Sequence, residues 1–409
     1  MKKRVGAIVA FALALSASIA GINENLQSKN VQANAYYQEY DTETAINSAK
    51  TQENLQTHAK SAYLMDFGSG SVIYAHNEKA HLPIASMCKI MTLILAFDAI
   101  KTGALTMDEQ ICVSERASSM GGSQVFLEAN AKYPVKELIK SVVVCSANDS
   151  CVALAERIAG SESIFVDRMN ERAKELGAND TLFANCTGLP KEPQYSCAKD
   201  VAFMLKELLN NDEYYAFGKV WLDKFAHPQG RYTEITNTNK LVRFYEGCDG
   251  GKTGFTNQAG FCLAATAKRN GMRVISVVIG EENSKTRFDD VRSMFDYAFA
   301  NYFQQPLVEA GVPLDNKATV KNGKLKTIEI VPERSCYAFS KRGEKANITL
   351  EINLTAMQAP VKKGDTAGEI VVFKDHVEID RVKLLANENV EKATLFDRLK
   401  DVAKGWNAR

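Results

Sequence analysis

Two strand-like runs in residues 61–76, SAYLMDFGSGSVIYAH, flank Gly68-Ser69-Gly70, which predicts a hairpin. From about Pro83 to Lys101 the apolar pattern lengthens into a helix, with Pro83 placed where a helix can begin. Amphipathic helical periodicity recurs near 134–145, 149–160, 164–176 and 198–210. Residues 260–281, GFCLAATAKRNGMRVISVVIGE, return to strand character as two apolar runs around KRNG, a second hairpin. Strands at both ends of a helical middle predict an α+β domain whose sheet is assembled from distant segments.

The pattern changes around Pro306 to Pro313. From about 317 to 385 it consists of short runs such as KTIEIV and ANITLEINL, punctuated by KNGK and KKGD, which predicts a small all-β module. The last segment, TLFDRLKDVAKGWNAR, gathers Leu395, Phe396, Leu399, Val402, Ala403 and Trp406 within roughly 120° of a helical wheel. Such a helix suits either a membrane interface or docking on the protein's own surface. No internal repeat is visible.

Composition narrows the class. The chain has 409 residues with 45% hydrophobic and 24% charged positions, enough apolar material for more than one domain. Fifty Lys and Arg against 49 Asp and Glu give a net charge of +1, so no overall field argues for nucleic acid as a partner. The first residues, MKKRVGAIVAFALALSASIA, have the basic start, short apolar run and small-residue end of an export signal, with cleavage expected after Ala20 or Ala35. A lone transmembrane anchor is the alternative, although the apolar run is short of what a bilayer requires. Nine cysteines are odd in number and irregularly spaced, so at least one lacks an intrachain partner. They form no CxxC pair and the five histidines form no HExxH, so no zinc site is expected and the chemistry is read as metal-free.

Three short stretches carry reactive side chains. In PIASMCKIMT, Ser86 and Lys89 are three apart, neighbours on a helix surface, which permits a Ser–Lys nucleophile pair if the lysine is neutral part of the time. In CSANDS, Ser146 and Asn148 fall between two predicted helices, where a hydroxyl can relay protons and an amide can hold a peptide group. In DGGKTGFTNQAGF, Lys252, Thr253 and Gly254 precede an apolar strand; they suit a ligand laid along a strand edge with its carboxylate at the Lys–Thr end. Each stretch alone also has a bland explanation as a cap or a turn. Their joint order SxxK, SxN, KTG, separated by 60 and 106 residues, makes coincidence a poor account.

This constellation resembles the serine penicillin-interactive enzymes. More closely, LPIASMCKIMT, SANDSCVALAE, FANCTGL, NTNKLV, DGGKTGFTNQAGFCLAATAKRNGMRVISVVIGE and SKTRFDDV are similar to the D-alanyl-D-alanine carboxypeptidases among the low-molecular-mass penicillin-binding proteins. The resemblance implies a β-lactamase/transpeptidase-like catalytic domain, an antiparallel sheet flanked by helices plus a helical subdomain, followed by a small β-sandwich and a C-terminal amphipathic helix. The implied division is 1–35 signal peptide and leader, 36–60 polar segment, 61–305 catalytic domain, 306–386 β-sandwich and 387–409 membrane-associating helix.

It also implies roles. Ser86 would be acylated, Lys89 would take its proton and Ser146 would shuttle protons. Asn148 would hold the substrate's peptide group. Lys252 and Thr253 would bind the terminal carboxylate beside Gly254, with Arg287 of SKTRFDD a further carboxylate contact. The N–H groups of Ser86 and Phe255 would form the oxyanion hole. No cofactor and no metal is implied. The implied partners are peptidoglycan stem peptides ending in D-Ala-D-Ala, β-lactams and the membrane surface, at the extracytoplasmic face of a bacterium.

One departure is Ala147, where these enzymes usually carry Gly. Cys88 and Cys145, beside reactive positions, read as small buried hydrophobes. Rival functions are a D,D-endopeptidase, a class A β-lactamase with Glu192 as the deacylating base, and a catalytically idle wall scaffold.

Overall fold

The computed structural model describes residues 55–344, 346–397 and 399. The expected export leader and most of the polar segment after it lie outside the described residues, as do Val402, Ala403 and Trp406 of the terminal helix.

The central sheet has five strands, β1 (Ser61–Asp66), β2 (Val72–His76), β3 (Cys248–Thr256), β4 (Gly260–Arg269) and β5 (Met272–Glu281), in the order β2-β1-β5-β4-β3. Every pairing is antiparallel. The two predicted hairpins are β1–β2 and β4–β5; the second turns at Asn270 and Gly271, both at positive φ. Because the first hairpin pairs with the last through β1 and β5, residues more than 200 positions apart in sequence, such as Ala62 and Val278, lie side by side.

Alternation explains why these strands read as nearly continuous apolar runs. Tyr63, Met65, Ile275 and Val277 face one core, whereas Ala62, Leu64, Val274 and Val278 face another. The first core is closed by α1 (Lys89–Lys101), α2 (Val135–Cys145), α3 (Asn148–Ala159), α4 (Glu162–Glu175) and α5 (Ala198–Leu209). The second is closed by α6 (Ser284–Asn301), which buries Phe288, Val291, Met294, Phe295 and Ala298 against β4 and β5.

Four of the predicted helices appear within two residues of their expected ends, but the one expected from Pro83 does not. The chain forms a 3-10 turn over Ala85–Cys88 and becomes α-helical only at Lys89. Packing imposes this: a Cβ built on Gly188 would stand 2.0 Å from Ala85 O, and one on Gly254 would stand 2.6 Å from Ile84 O. Two glycine backbones thus press on residues 84–86 and hold Ala85 at φ 47°, a left-handed conformation costing about 1–2 kcal/mol.

Beyond α6, a strand at Tyr302–Val308 pairs with Cys336–Lys341, and a six-stranded sheet forms beside a third apolar core around Ile330, Ile370, Val372 and Leu384. This is the expected β-sandwich. At the C-terminal end Thr394 and Asp397 form a reciprocal cap, with the Asp397 N–H donating to Thr394 Oγ1 at 3.2 Å and Thr394 Oγ1 donating to Asp397 Oδ2 at 2.7 Å. Leu395, Phe396 and Leu399 are exposed. Among the described residues no helix is long and apolar enough to cross a membrane.

Candidate active site

Ser86 sits in the 3-10 turn and Lys89 is the first residue of α1, so a tight turn followed by an α turn aligns them. Lys89 Nζ stands 2.9 Å from Ser86 Oγ and donates to the carbonyl of Thr187 at 2.5 Å. Lys89 has no solvent exposure, and burial lowers its pKa from the ordinary lysine value. A long amine with its stem in the core is thereby biased toward its neutral form, with its nitrogen on the hydroxyl.

Ser146 ends α2 in the left-handed conformation, φ 65° and ψ 33°, and this reversal starts α3 two residues later. Its Oγ is buried and, among the described residues, finds no hydrogen-bond partner. Asn148 does not cap α3. Its Nδ2 donates to Gly121 O at 2.7 Å and its N–H donates to Ser123 O at 2.7 Å. Asp149 accepts from the N–H groups of Val125 and Leu127, each at 3.1 Å, and of Ser150 at 2.9 Å. Its buried carboxylate therefore straps loop 121–127 onto the start of α3.

Lys252 and Thr253 lie on β3, an edge of the sheet, and both are buried. The strand is fixed from both sides: Gly251 N–H donates to Tyr214 Oη at 2.8 Å and Asn239 Nδ2 donates to Gly250 O at 3.1 Å. Lys252 Nζ donates to Thr253 O at 3.2 Å. Burial first, then the charge of Lys89, lowers its pKa to about 7. The two amines thus share one electrostatic environment although 163 positions separate them in sequence. Gly254 brings β3 against the Ser86 turn, its built Cβ falling 3.3 Å from Ser86 N. Phe255 is half exposed and packs on Phe261, the rings tilted by 30° with centroids 4.3 Å apart.

Arg287 projects from α6 beneath β3, where Nη1 donates to Gly254 O at 3.2 Å and to Cys262 O at 3.4 Å. It is buried, its Nε has no partner among the described residues, and burial lowers its pKa to about 10. It supports the strand's backbone directly, a contact that the sequence did not suggest. Glu192 is exposed on a loop and accepts from Gln258 Nε2 at 3.2 Å. All nine cysteines are free; burial raises the thiol of Cys88 and pushes that of Cys145 up to about 12, so neither is a ready thiolate.

The structure therefore brings Ser86, Lys89, Lys252 and Gly254 together where β3 meets the Ser86 turn, with Thr253 beside Lys252 on the strand. Ser146 and Asn148 lie on the turn between α2 and α3, where the neighbouring Cys145 thiol feels the charge of Lys252. Sequence reasoning missed Thr187, whose carbonyl holds Lys89, together with Gly188, Gly121, Asp149, Tyr214 and Asn239. Thr187, Gly188 and Gly121 act through backbone, which leaves no side-chain signal.

This fold and this cleft define the class of low-molecular-mass penicillin-binding proteins. Residues 47–283 match the family D-alanyl-D-alanine carboxypeptidase, and residues 302–392 match the C-terminal domain of penicillin-binding protein 5; the chain belongs to that carboxypeptidase family. It is 39% identical to D-alanyl-D-alanine carboxypeptidase DacF of Bacillus subtilis over 364 residues, covering 88% of this chain and 93% of the relative. DacC of Escherichia coli is 31% identical over 88% of this chain and 90% of its own length. Among crystal structures, the D-alanyl-D-alanine carboxypeptidase DacD of Francisella tularensis matches with a TM-score of 0.63 and 28% identity, over 87% of this chain and all of that one.

Proposed function

We propose that Ser86 is the nucleophile of a serine D-Ala-D-Ala carboxypeptidase, attacking the carbonyl of the penultimate D-Ala of a peptidoglycan stem pentapeptide. The carrying observation is the 2.9 Å contact between Ser86 Oγ and the buried, pKa-lowered amine of Lys89. As Oγ bonds to the carbonyl carbon, its proton passes to Lys89 Nζ. Proton transfer by way of Ser146 then reaches the nitrogen of the terminal D-Ala as its amide bond breaks. Water hydrolyses the ester and returns the enzyme.

The other residues fit binding and charge stabilisation. Lys252 and Thr253 hold the terminal carboxylate at the sheet edge, Asn148 holds the peptide group, and Arg287 stiffens the strand and adds positive charge beneath it. The N–H groups of Ser86 and Phe255 stabilise the oxyanion, each worth about 3 kcal/mol in the transition state. A substrate carboxylate at Lys252 keeps that amine protonated while Lys89 is free to act as base. A β-lactam offers an acyl group and a carboxylate in the same places and would form a long-lived ester on Ser86.

A β-lactamase reading is disfavoured by Glu192, an exposed loop residue engaged with Gln258 rather than a buried base. The D-alanyl-D-alanine endopeptidase of Escherichia coli is matched over only 59% of this chain, whereas the carboxypeptidase relatives DacF and DacC match over 88%. We assign the exposed apolar side chains at 395, 396 and 399 to a membrane-surface helix on an exported protein; deletion of 388–409 should free the protein from membranes, and unchanged sedimentation with membranes would assign the helix to packing. For the activity, free D-Ala released from a D-Ala-D-Ala pentapeptide by wild type and not by Ser86→Ala is expected; equal release by both would remove Ser86 from the mechanism.

A further inference from the structure

A second set of chemically active side chains lies outside the cleft. The donor atoms of Asp180, Cys197 and Asp200 fall within 4.8 Å of one another, and His81 Nε2 stands 2.9 Å from Asp180 Oδ1. These four residues come from three chain segments joined by backbone bridges, Leu82 with Ser196 and Leu182 with Tyr195. The His81 ring is held in place by stacking on Tyr195, centroids 4.4 Å apart and planes 13° apart. Cys197 and Asp200 are buried. Asp200 Oδ2 accepts from the Asp180 N–H at 2.8 Å and from Thr181 Oγ1 at 2.9 Å, and among the described residues neither Asp180 nor Asp200 forms an ion pair with a lysine or arginine.

Cys197 is also an odd choice for its position. It is the N-cap of α5, where its Sγ accepts the Asp200 N–H at 3.5 Å, a role that serine or threonine oxygen performs better. One imidazole, one thiol and two carboxylates form the mixed N, S and O donor set that suits a tetrahedral divalent ion. Metal–ligand bonds of about 2.0–2.3 Å separate donors in a tetrahedron by roughly 3.3–3.8 Å, a spacing compatible with the 4.8 Å within which the Asp180, Cys197 and Asp200 donors already fall. We infer that His81, Asp180, Cys197 and Asp200 form a structural site for one divalent transition-metal ion of the zinc class. Binding converts the Cys197 thiol to a metal-bound thiolate and releases its proton to solvent.

The site's place gives it a consequence. His81 precedes Ser86 by five residues, and Asp180 precedes Thr187, whose carbonyl holds Lys89, by seven. One ion would tie together, from outside the cleft, the two segments that carry the nucleophile and the support of its base. The sequence hides the set, because its members are scattered over 120 positions without metal-ligand spacing.

The test uses the full chain, stripped with a chelator and titrated with Co²⁺ and then Zn²⁺. A sulfur-to-cobalt charge-transfer band saturating at one equivalent, its displacement by zinc and a zinc-dependent rise in melting temperature are expected. Cys197→Ser, a substitution that improves the helix cap, should abolish the band and weaken zinc binding by about tenfold or more; Asp180→Asn should weaken binding but keep the band. Penicillin acylation by both variants establishes that they are folded. No band, a band that survives in Cys197→Ser, or a melting temperature indifferent to zinc would overturn the assignment.

Discussion

Gly254 and Ile84 meet backbone to backbone: a Cβ built on Gly254 would stand 2.6 Å from the Ile84 carbonyl oxygen, so the Lys252 strand rests on the Ser86 turn with no room for a side chain. Gly254→Ala must push β3 away from the turn. Because misplacement by about 1 Å can cost about 100-fold, kcat/KM for D-Ala release should fall by about that factor. Gly103→Ala serves as the control: that glycine also has positive φ, 76°, but its Cβ meets nothing within 4 Å, so stability should fall by about 1 kcal/mol with activity unchanged. Equal activity in the two variants would show that the close approach is not needed.

The pH dependence of catalysis follows from the two amines. In the proposed mechanism Lys89 must be neutral to accept the Ser86 proton, so activity should rise with pH on the acidic side. Lys252, lowered to about 7, must be protonated if it holds the carboxylate as proposed, so kcat/KM should fall on the alkaline side as the free enzyme loses that charge. Lys252→Arg keeps its charge at all relevant pH values, and the alkaline limb should move upward even though the maximum drops. An alkaline limb that stays in place would assign it to another group.

Stability should carry the opposite mark of the same design. Lys252 has a folded pKa of about 7 against an ordinary 10.5, so between these values the unfolded chain binds more protons and stability rises with pH. Lys252→Met should remove that part of the slope and stabilise the fold at pH 7 by about 1–4 kcal/mol while abolishing D-Ala release. Urea unfolding at pH 7 and pH 9 reads both effects.

Glu281 acts in the reverse sense. Burial, then the neighbouring Asp290 carboxylate, pushes it up to about 8, above its ordinary 4.5, so the folded state holds the extra proton. Its contribution is complete below about 4.5 and is lost as pH rises through about 8, with a slope of up to about 1.4 kcal/mol per pH unit. Glu281→Gln should flatten stability over this window in urea titrations; a slope identical to wild type would place the proton elsewhere.

Much of this was legible in the sequence for physical reasons. The hairpins and four helices follow from periodicity, because both faces of β1 and β5 and one face of each helix are buried. The order of the reactive motifs indicated a shared cleft. The 3-10 turn at Ala85 was not legible, since it is imposed by Gly188 and Gly254, 103 and 169 residues away. Helix α6 was missed although Phe288, Val291, Phe295 and Ala298 recur at helical spacing; the polar start SKTRFDD drew the reading toward a motif instead. Carbonyl partners such as Thr187 and Gly121 are backbone atoms and have no residue-type signature at all.

In the proposed mechanism it is Lys89 that makes the Ser86 hydroxyl reactive. Intact-mass measurement followed by peptide mapping after incubation with penicillin tests it most directly. One adduct per chain is expected, on the peptide carrying Ser86, formed at least about 100-fold more slowly in Lys89→Ala. An unmodified protein, an adduct on another residue, or equal acylation of Lys89→Ala would contradict it.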